Sequence, residues 1–240
     1  MTRFITLVSG KGGVGKTTTA INLGQALTDM GKKVVVVDAN LVTPNVGIHL
    51  GVMNPEGTIN KFLRKEKDLK DAMYLHESGL AFIPASPSYS EFQKTNPQKM
   101  TEIFEHLDNT ADFVLIDAPS GLGYDVSHIL KNSDEALIVT MPNLSSVMDA
   151  LKTIHVAQAN DNTITGVVLN MTHWASRHEL KVEEIERILN YPVIATLRVD
   201  GKIRKAVHRQ VPLNYLHPRC RSAKQFNKVA EHITLHKKVE

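Results

Sequence analysis

Seven short runs rich in valine, isoleucine and leucine recur along the chain and alternate with stretches of helical periodicity. The apolar runs lie at 4–9, 33–38, 80–85, 112–119, 135–142, 164–170 and 191–197. The helical stretches lie at 16–30, 58–64, 97–107, 125–131, 145–158 and 181–189. Runs that are apolar on consecutive residues are typical of parallel strands buried on both faces. The alternation therefore predicts an α/β fold with a doubly wound, mostly parallel β-sheet flanked by helices, whose ligand-binding strand ends share one edge.

The composition is that of an ordinary globular protein. The chain has 240 residues, a formal net charge of +3 and a single cysteine, Cys220. One cysteine can form neither an internal disulfide nor a thiolate metal knuckle. No apolar stretch approaches the roughly 18 residues of a membrane-spanning helix, and the N-terminus lacks the pattern of a signal peptide. With no repeat or low-complexity linker, these features predict a cytoplasmic protein with one domain over 1–240.

A glycine-rich stretch, SGKGGVGKTT at 9–18, connects the first apolar run to the first helical stretch. Gly10, Gly15, Lys16 and Thr17 fit the phosphate-loop pattern G-x-x-x-x-G-K-[ST] in the strand-to-helix context that this motif requires. The glycines let backbone N–H groups turn toward phosphate oxygens, and the helix N-terminus adds partial positive charge. Lys16 would contact the β- and γ-phosphates, and the Thr17 hydroxyl would coordinate Mg²⁺. The stretch therefore predicts a nucleoside triphosphate site.

Two buried runs end in a carboxylate. Asp38 follows VVVV in the second run, and Asp117 follows FVLI in a later one. Carboxylates at the ligand edge of a parallel sheet are suited to hold Mg²⁺ through bound water. We therefore expect Asp38 and Asp117 to lie beside the phosphate loop with Thr17. The alternative is that either aspartate only caps a turn or a helix.

Lys11, inside the glycine turn, is one lysine more than phosphate binding needs. KGGVGKTT resembles the deviant Walker A loop of the MinD/ParA family of P-loop ATPases, and the resemblance extends from residue 3 to about 233. It implies that ATP contacts the whole loop: Gly10, Lys11, Gly12, Gly13, Val14, Gly15, Lys16, Thr17 and Thr18. It also implies that Lys11 crosses a dimer interface to the nucleotide of the other subunit, so that ATP joins a homodimer. The alternative is a solvated loop lysine.

The resemblance continues into two switch stretches. DAPSGLG, which begins at Asp117, is similar to the family's D-x-P-x-G loop, and Asp117 corresponds to the Walker B aspartate. DANLVTPNVGIHLG at 38–51 is similar to the family's D-x-D-x-x-x-x-N stretch, but Asn40 replaces the aspartate that orients the attacking water. An amide can hydrogen-bond water but cannot accept its proton. The resemblance thus implies catalytic roles for Lys11, Lys16, Asp38 and Asn40 with slow hydrolysis; alternatively, Asn40 is an ordinary turn residue.

Two stretches of this sequence are similar to the family's residues around the adenine base. Asn170 ends the strand-like GVVLN, where the family's asparagine hydrogen-bonds the base. RVDGKIRKAV at 198–207 is similar to the loop P-E-D-x-x-x-R-x-A that flanks adenine, with Arg198 and Val199 in place of Pro and Glu and with Asp200 retained. The resemblance implies base contacts for Asn170 and Asp200. The alternative for Asn170 is a turn cap at the strand end.

The C-terminal region is basic. No acidic residue occurs between Gly201 and Ala230. The window contains these basic residues: Lys202, Arg204, Lys205, Arg209, Arg219, Arg221, Lys224 and Lys228. Such asymmetry is typical of a surface for DNA or for another anionic partner, or simply of a solvated basic face. The final TLHKKVE is too short and too polar for an interfacial helix, so we expect no membrane anchor of this kind.

Taken with the resemblance, these residues predict a MinD-like ATPase that binds ATP and Mg²⁺, dimerises and hydrolyses ATP slowly. An unidentified regulatory or cargo protein would recognise its ATP-bound state. Its use would be spatial positioning of a division site, a motility apparatus or a cargo. One alternative is a ParA-like protein whose non-specific DNA binding is gated by ATP. Another is a nucleotide-bound scaffold with negligible hydrolysis.

Overall fold

The computed structural model describes residues 1–173 and 178–235. The strands within these residues are β1 Arg3–Val8, β2 Val34–Asp38, β3 Tyr74–Leu75, β4 Ala81–Ile83, β5 Phe113–Asp117, β6 Glu135–Thr140, β7 Thr163–Thr172 and β8 Val193–Arg198. The α-helices are α1 Lys16–Asp29, α2 Val46–His49, α3 Ile59–Leu63, α4 Tyr89–Lys94, α5 Thr101–Leu107, α6 Tyr124–Leu130, α7 Leu144–Gln158, α8 Val182–Leu189, α9 Gly201–His208, α10 Leu213–Leu216 and α11 Arg221–Leu235. Short 3₁₀ turns span Leu69–Ala72 and Pro97–Met100.

The strands form one sheet in the order β3-β4-β2-β5-β1-β6-β7-β8. Each neighbouring pair is parallel except β3 and β4, which are antiparallel. Because β2, β5 and β1 are adjacent and parallel, their carboxyl ends lie side by side at one edge. The doubly wound, mostly parallel sheet predicted from the alternating runs is confirmed.

Each face of the sheet has its own apolar core, because successive strand residues point to opposite faces. In β5, Val114 and Ile116 face the core formed with α3, α5, α6, α7 and α8. Phe113 and Leu115 face the core formed with α1, α9, α10 and α11. Full burial on both sides explains why these strands are apolar on consecutive residues.

Helix α11 closes the second core. Phe226, Val229, Ala230 and Ile233 are completely buried on one side of it, as their helical spacing predicts. No helix in residues 1–173 and 178–235 is both long and apolar enough to cross a membrane. The expectation about a C-terminal anchor rests mainly on residues 236–240, which lie outside the described part of the chain.

Several elements do not follow from the sequence patterns. Strand β3 is only two residues long and pairs at the sheet edge, too short to show alternation. Helices α2, α4 and α10 are four to six residues long and cannot show a clear helical period. The stretch 198–207 was expected to be a loop, and this was wrong: Gly201–His208 is helix α9.

Candidate functional site

The phosphate loop and both carboxylates meet at the edge formed by β1, β5 and β2. The loop follows β1, and Asp117 and Asp38 are the last residues of β5 and β2. Asp38 and Asp117 are opposite each other in the sheet register, and Asp117 is opposite Leu7 of β1. The predicted convergence of these residues is therefore present in the fold.

The loop presents a row of free backbone donors. Gly15 has a φ of 94°, a conformation that favours glycine, and precedes the first residue of α1. Within the described residues, the N–H groups of residues 13–18 have no hydrogen-bond acceptor. Those of the first helical turn are free in any α-helix, and the glycine turn extends the row by three residues. A helix N-terminus with such donors is a binding site for an anion such as phosphate.

Gly10 lies where no side chain fits. A Cβ atom at Gly10 would lie 2.6 Å from Cβ and 2.7 Å from the carbonyl oxygen of Asp149 in α7. The close approach of two backbones explains the glycine. It also places the start of the phosphate loop directly against α7.

Lys16 crosses underneath the loop. Its Nζ donates to Ser9 Oγ at 3.0 Å, and Ser9 Oγ donates to the carbonyl of Lys11 at 2.7 Å. Burial lowers the pKa of Lys16, while the nearby carboxylate of Asp117 opposes this change. The result is a cation held in a poorly solvated place, where its interaction with phosphate is less screened than in water.

Thr17 and Asp117 form a pair suited to a hydrated metal ion. Thr17 Oγ1 donates to Asp117 Oδ2 at 2.6 Å. Asp117 Oδ1 is buried and has no hydrogen-bond partner in the described part of the chain. Burial raises the pKa of Asp117 to about 6, against the effects of Thr17 and Lys16. An unpartnered buried carboxylate oxygen beside a hydroxyl fits a Mg²⁺ site, because Mg²⁺ prefers oxygen ligands and retains several waters.

Asp38 organises the loop that follows β2. Its Oδ1 accepts from the N–H of Asn40 at 3.1 Å, and its Oδ2 accepts from those of Asn45 and Val46 at 2.9 Å each. Burial and the neighbouring Asp117 raise the pKa of Asp38 to about 8, although these three hydrogen bonds oppose the change. Asp38 therefore lies beside Asp117 and also anchors both ends of the 40–46 loop.

The side chain of Asn40 is part of a tight turn. Its Nδ2 donates to the carbonyl and the hydroxyl of Thr43, both at 2.9 Å, and its Oδ1 accepts from Thr43 N–H at 3.1 Å. Asparagine commonly forms such side-chain-to-backbone turns. This geometry favours the interpretation of Asn40 as a turn residue, and a catalytic role would require the amide to turn away from Thr43.

Lys11 contacts its own chain. Its Nζ donates to Ser145 Oγ and lies 3.6 Å from Asp149 Oδ2, so both partners belong to α7. The Lys11 side chain remains 40% exposed. Exposed ion pairs contribute only about 0–1 kcal/mol, so these contacts can be exchanged at low cost. Neither Ser145 nor Asp149 carried any sequence signal for this role.

The two residues expected to contact adenine, Asn170 and Asp200, form hydrogen bonds within the chain. Asn170 is buried, and its amide donates to the carbonyl of Val14 at 2.8 Å. Asp200 caps α9: its Oδ1 accepts from Lys202 N–H at 2.8 Å, and its Oδ2 accepts from Ser222 Oγ at 2.7 Å. An N-terminal cap of this kind stabilises the first turn of α9, the helix found where a loop was expected. Ser9 also contributes to the site and was missed, because a lone serine before the glycine pattern has no distinctive spacing.

A parallel sheet with a glycine-rich phosphate loop after its central strand and two carboxylates at neighbouring strand ends defines a P-loop NTPase. The chain belongs to the ParA family: residues 1–234 match the family model described as "ParA: NUBPL iron-transfer P-loop NTPase".

Solved structures and curated sequences agree with this family. The cell division ATPase MinD of Pyrococcus furiosus is 35% identical with a TM-score of 0.93, over 98% of this chain and 99% of that one. The septum site-determining protein MinD of Pyrococcus horikoshii, complexed with Mg-ADP, is 32% identical with a TM-score of 0.92, over 97% and 96%. An uncharacterized ATP-binding protein of Methanocaldococcus jannaschii is 34% identical, over 94% of this chain and 85% of its own length.

Proposed function

We propose that this protein is a MinD-like ATPase in which ATP and Mg²⁺ control dimerisation. The observation that carries the proposal is the meeting of free loop amides, Lys16 and the Thr17–Asp117 pair at one sheet edge. The Mg-ADP complex of the Pyrococcus horikoshii relative supports the choice of ligand. The match of residues 1–234 to a single family model supports treating them as one functional unit.

The metal would be held by the Thr17 hydroxyl and, through water, by Asp117 and Asp38. Mg²⁺ supplies positive charge that stabilises the β- and γ-phosphates during phosphoryl transfer. Lys16 would add a second positive charge, and the backbone amides of residues 13–18 would orient the phosphate chain. The unpartnered Oδ1 of Asp117 supports this assignment, because a metal-bound water would satisfy it.

Two loops begin at the carboxylates of the proposed metal site, where bound nucleotide would change their position. The 40–46 loop is tied to Asp38 by three backbone N–H groups. The loop after Asp117 is tied to the phosphate loop, because Gly121 N–H donates to the carbonyl of Ser9 at 3.0 Å. Each loop thus begins at a carboxylate of the proposed metal site. Binding and loss of the γ-phosphate would shift both loops, as in other nucleotide switches.

Dimerisation is supported by the surface around Lys11. Leu144 and Met148 are 59% and 41% exposed, and they flank Ser145 and Asp149, the two residues of α7 that Lys11 contacts. Exposed apolar side chains grouped at one place are typical of an interaction surface. A second subunit would cover them and would bring its Lys11 toward the nucleotide of the first.

The biological use that we propose is spatial positioning, in agreement with the name of the Pyrococcus furiosus relative as a cell division ATPase. A regulatory or cargo protein would distinguish the ATP-bound dimer from the monomer. Hydrolysis would be slow, because Asn40 cannot accept a proton from the attacking water. The cytoplasmic location stays a prediction.

We expect Lys11→Ala to bind ATP with an affinity within about fivefold of the wild type, because an exposed ion pair is worth only about 0–1 kcal/mol. The variant should nevertheless stay monomeric with ATP and Mg²⁺, since the lysine would act across the interface. Multi-angle light scattering measures the mass, and a fluorescent ATP analogue measures the affinity.

The matched control is Lys152→Ala, which removes another lysine that pairs with Asp149, at 3.6 Å. This control should dimerise normally. If Lys11→Ala forms the ATP-dependent dimer as readily as Lys152→Ala, Lys11 has no role in trans.

The second candidate function is ATP-gated DNA binding, favoured by the exposure of the basic C-terminal window. Its eight lysine and arginine side chains are exposed on or beside α9 and α11. Such a cluster can bind phosphates without sequence preference.

We expect that, if this surface binds DNA, Lys224→Glu with Lys228→Glu lowers the affinity of the ATP-bound form for duplex DNA by about tenfold or more at low salt. Lys65→Glu with Lys67→Glu, a matched charge change in an exposed loop before β3, should have little effect. Fluorescence anisotropy with a labelled duplex measures both. Absence of wild-type binding at low salt removes this candidate.

A further inference from the structure

Asn170 connects the end of β7 to the phosphate loop. Its Nδ2 donates to the carbonyl oxygen of Val14 at 2.8 Å, and its Oδ1 accepts from the N–H of Met171 at 2.8 Å. The two contacts determine the orientation of the amide, since the reverse orientation would place oxygen against oxygen and N–H against N–H. The side chain is buried, so water does not readily replace either bond.

The carbonyl that Asn170 holds belongs to the peptide group between Val14 and Gly15. In a trans peptide the C=O and the N–H point in opposite directions. With the Val14 carbonyl directed at Asn170, the Gly15 N–H is directed away from Asn170. That N–H has no acceptor within the described residues, so it is available to a ligand.

The backbone alone does not prevent the Val14–Gly15 peptide group from flipping, which would exchange the directions of its C=O and N–H. Glycine tolerates both signs of φ, so Gly15 at 94° has an accessible alternative. Contact with Asn170 is close: a Cβ atom at Gly15 would lie 2.2 Å from Asn170 Nδ2. The amide of Asn170 therefore packs directly on the peptide that it hydrogen-bonds.

We propose that Asn170 is a positioning residue of the phosphate loop, which holds the Val14–Gly15 peptide with its N–H toward the phosphates. This inference rests on the proposed binding of a nucleoside triphosphate at the loop. Without the Asn170 amide, the peptide can turn its carbonyl oxygen toward a phosphate, which repels it. The role differs from a contact with the adenine base, because it affects ligands that have no base.

Inorganic triphosphate with Mg²⁺ tests this difference. We expect Asn170→Ala to weaken the binding of triphosphate and of ATP by the same factor, about tenfold, as for a buried hydrogen bond left unmade. Isothermal titration calorimetry measures both affinities. If ATP binding weakens while triphosphate binding does not, Asn170 is a base contact and the proposal is wrong. It is equally wrong if neither affinity changes.

Asn162→Ala is the matched control. Asn162 is also buried, and its amide donates to the carbonyls of Leu130 and Ser133, away from the loop. It should lower the melting temperature without changing either affinity. Wild-type protein that binds neither ligand overturns the phosphate-loop assignment itself, whereas a normal wild type with an unaffected Asn170→Ala overturns only the role of Asn170.

Glycine amide resonances give a second readout. In ¹⁵N-glycine-labelled protein, which has 14 glycines, triphosphate should shift the Gly15 amide downfield. In Asn170→Ala this shift should be lost, while glycines remote from the loop, such as Gly79, keep their positions. Collapse of all glycine resonances would indicate unfolding, in which case Asn170→Ser provides the same test. A normal Gly15 shift in a folded variant contradicts the proposal.

Discussion

Lys16→Ala should lose nucleotide binding, with an affinity for Mg·ATP at least about 100-fold below that of the wild type. The wild-type ammonium is buried and held in place by Ser9, and it carries the main positive charge that the chain places beneath the loop. Alanine leaves the phosphates facing the Asp117 carboxylate with that charge removed. Fluorescence titration with a labelled ATP analogue measures the loss.

Lys32→Ala is the matched control, because Lys32 is an exposed lysine just after α1. It should bind the analogue normally. Thermal unfolding of both variants without nucleotide separates a loss of affinity from a loss of fold. Near-native affinity in a folded Lys16→Ala protein would refute the phosphate-loop assignment.

Asn40→Asp should accelerate hydrolysis by about tenfold to 100-fold. A carboxylate can accept a proton from water, and general-base assistance typically accelerates a reaction by about 10²–10⁴-fold. The rate gain is smaller when the transition state is largely dissociative. The carboxylate also cannot donate to the Thr43 carbonyl, so the turn that now holds the side chain of residue 40 loses one hydrogen bond and holds it less firmly. Single-turnover rates with radiolabelled ATP measure the gain.

The competing effect is a new negative charge close to Asp38 and the γ-phosphate. Asn45→Asp places the same charge in the same loop while residue 40 stays an asparagine, and it serves as the control for that charge, although it also loses the bond from Asn45 Nδ2 to the Thr43 carbonyl. ATP affinity and mass are measured on the same preparations. If Asn40→Asp binds ATP and dimerises normally but hydrolyses it no faster than Asn45→Asp does, Asn40 does not hold the attacking water.

Much of the fold could be predicted from the sequence because parallel strands that are buried on both sides have a strong local signature. Each of the seven apolar runs overlaps a strand, with ends that differ by a few residues. The signature fails where an element is short or lies at an edge, as in β3. It also failed for α9, where a resemblance to a loop hid the capping residue Asp200 and the buried Ala206.

The candidate site likewise contains contacts that local sequence patterns predict and contacts that they do not. Thr17 and Asp117 could be expected to meet, because a phosphate loop and a strand-end carboxylate are both local patterns and the parallel sheet aligns their ends. The pairing of Asp38 with three N–H groups of its own loop could not be expected, because it depends on how residues 40–46 fold back.

By itself, the sequence determined the class of fold and the phosphate loop, since both depend on residues that are neighbours in the chain. Only the tertiary structure decided what Lys11 and Asn170 contact. Lys11 meets Ser145 across 134 positions of sequence, and Asn170 meets Val14 across 156. Such contacts follow from the packing of α7 and β7 beside the loop, and no local pattern records which side chains that packing brings together.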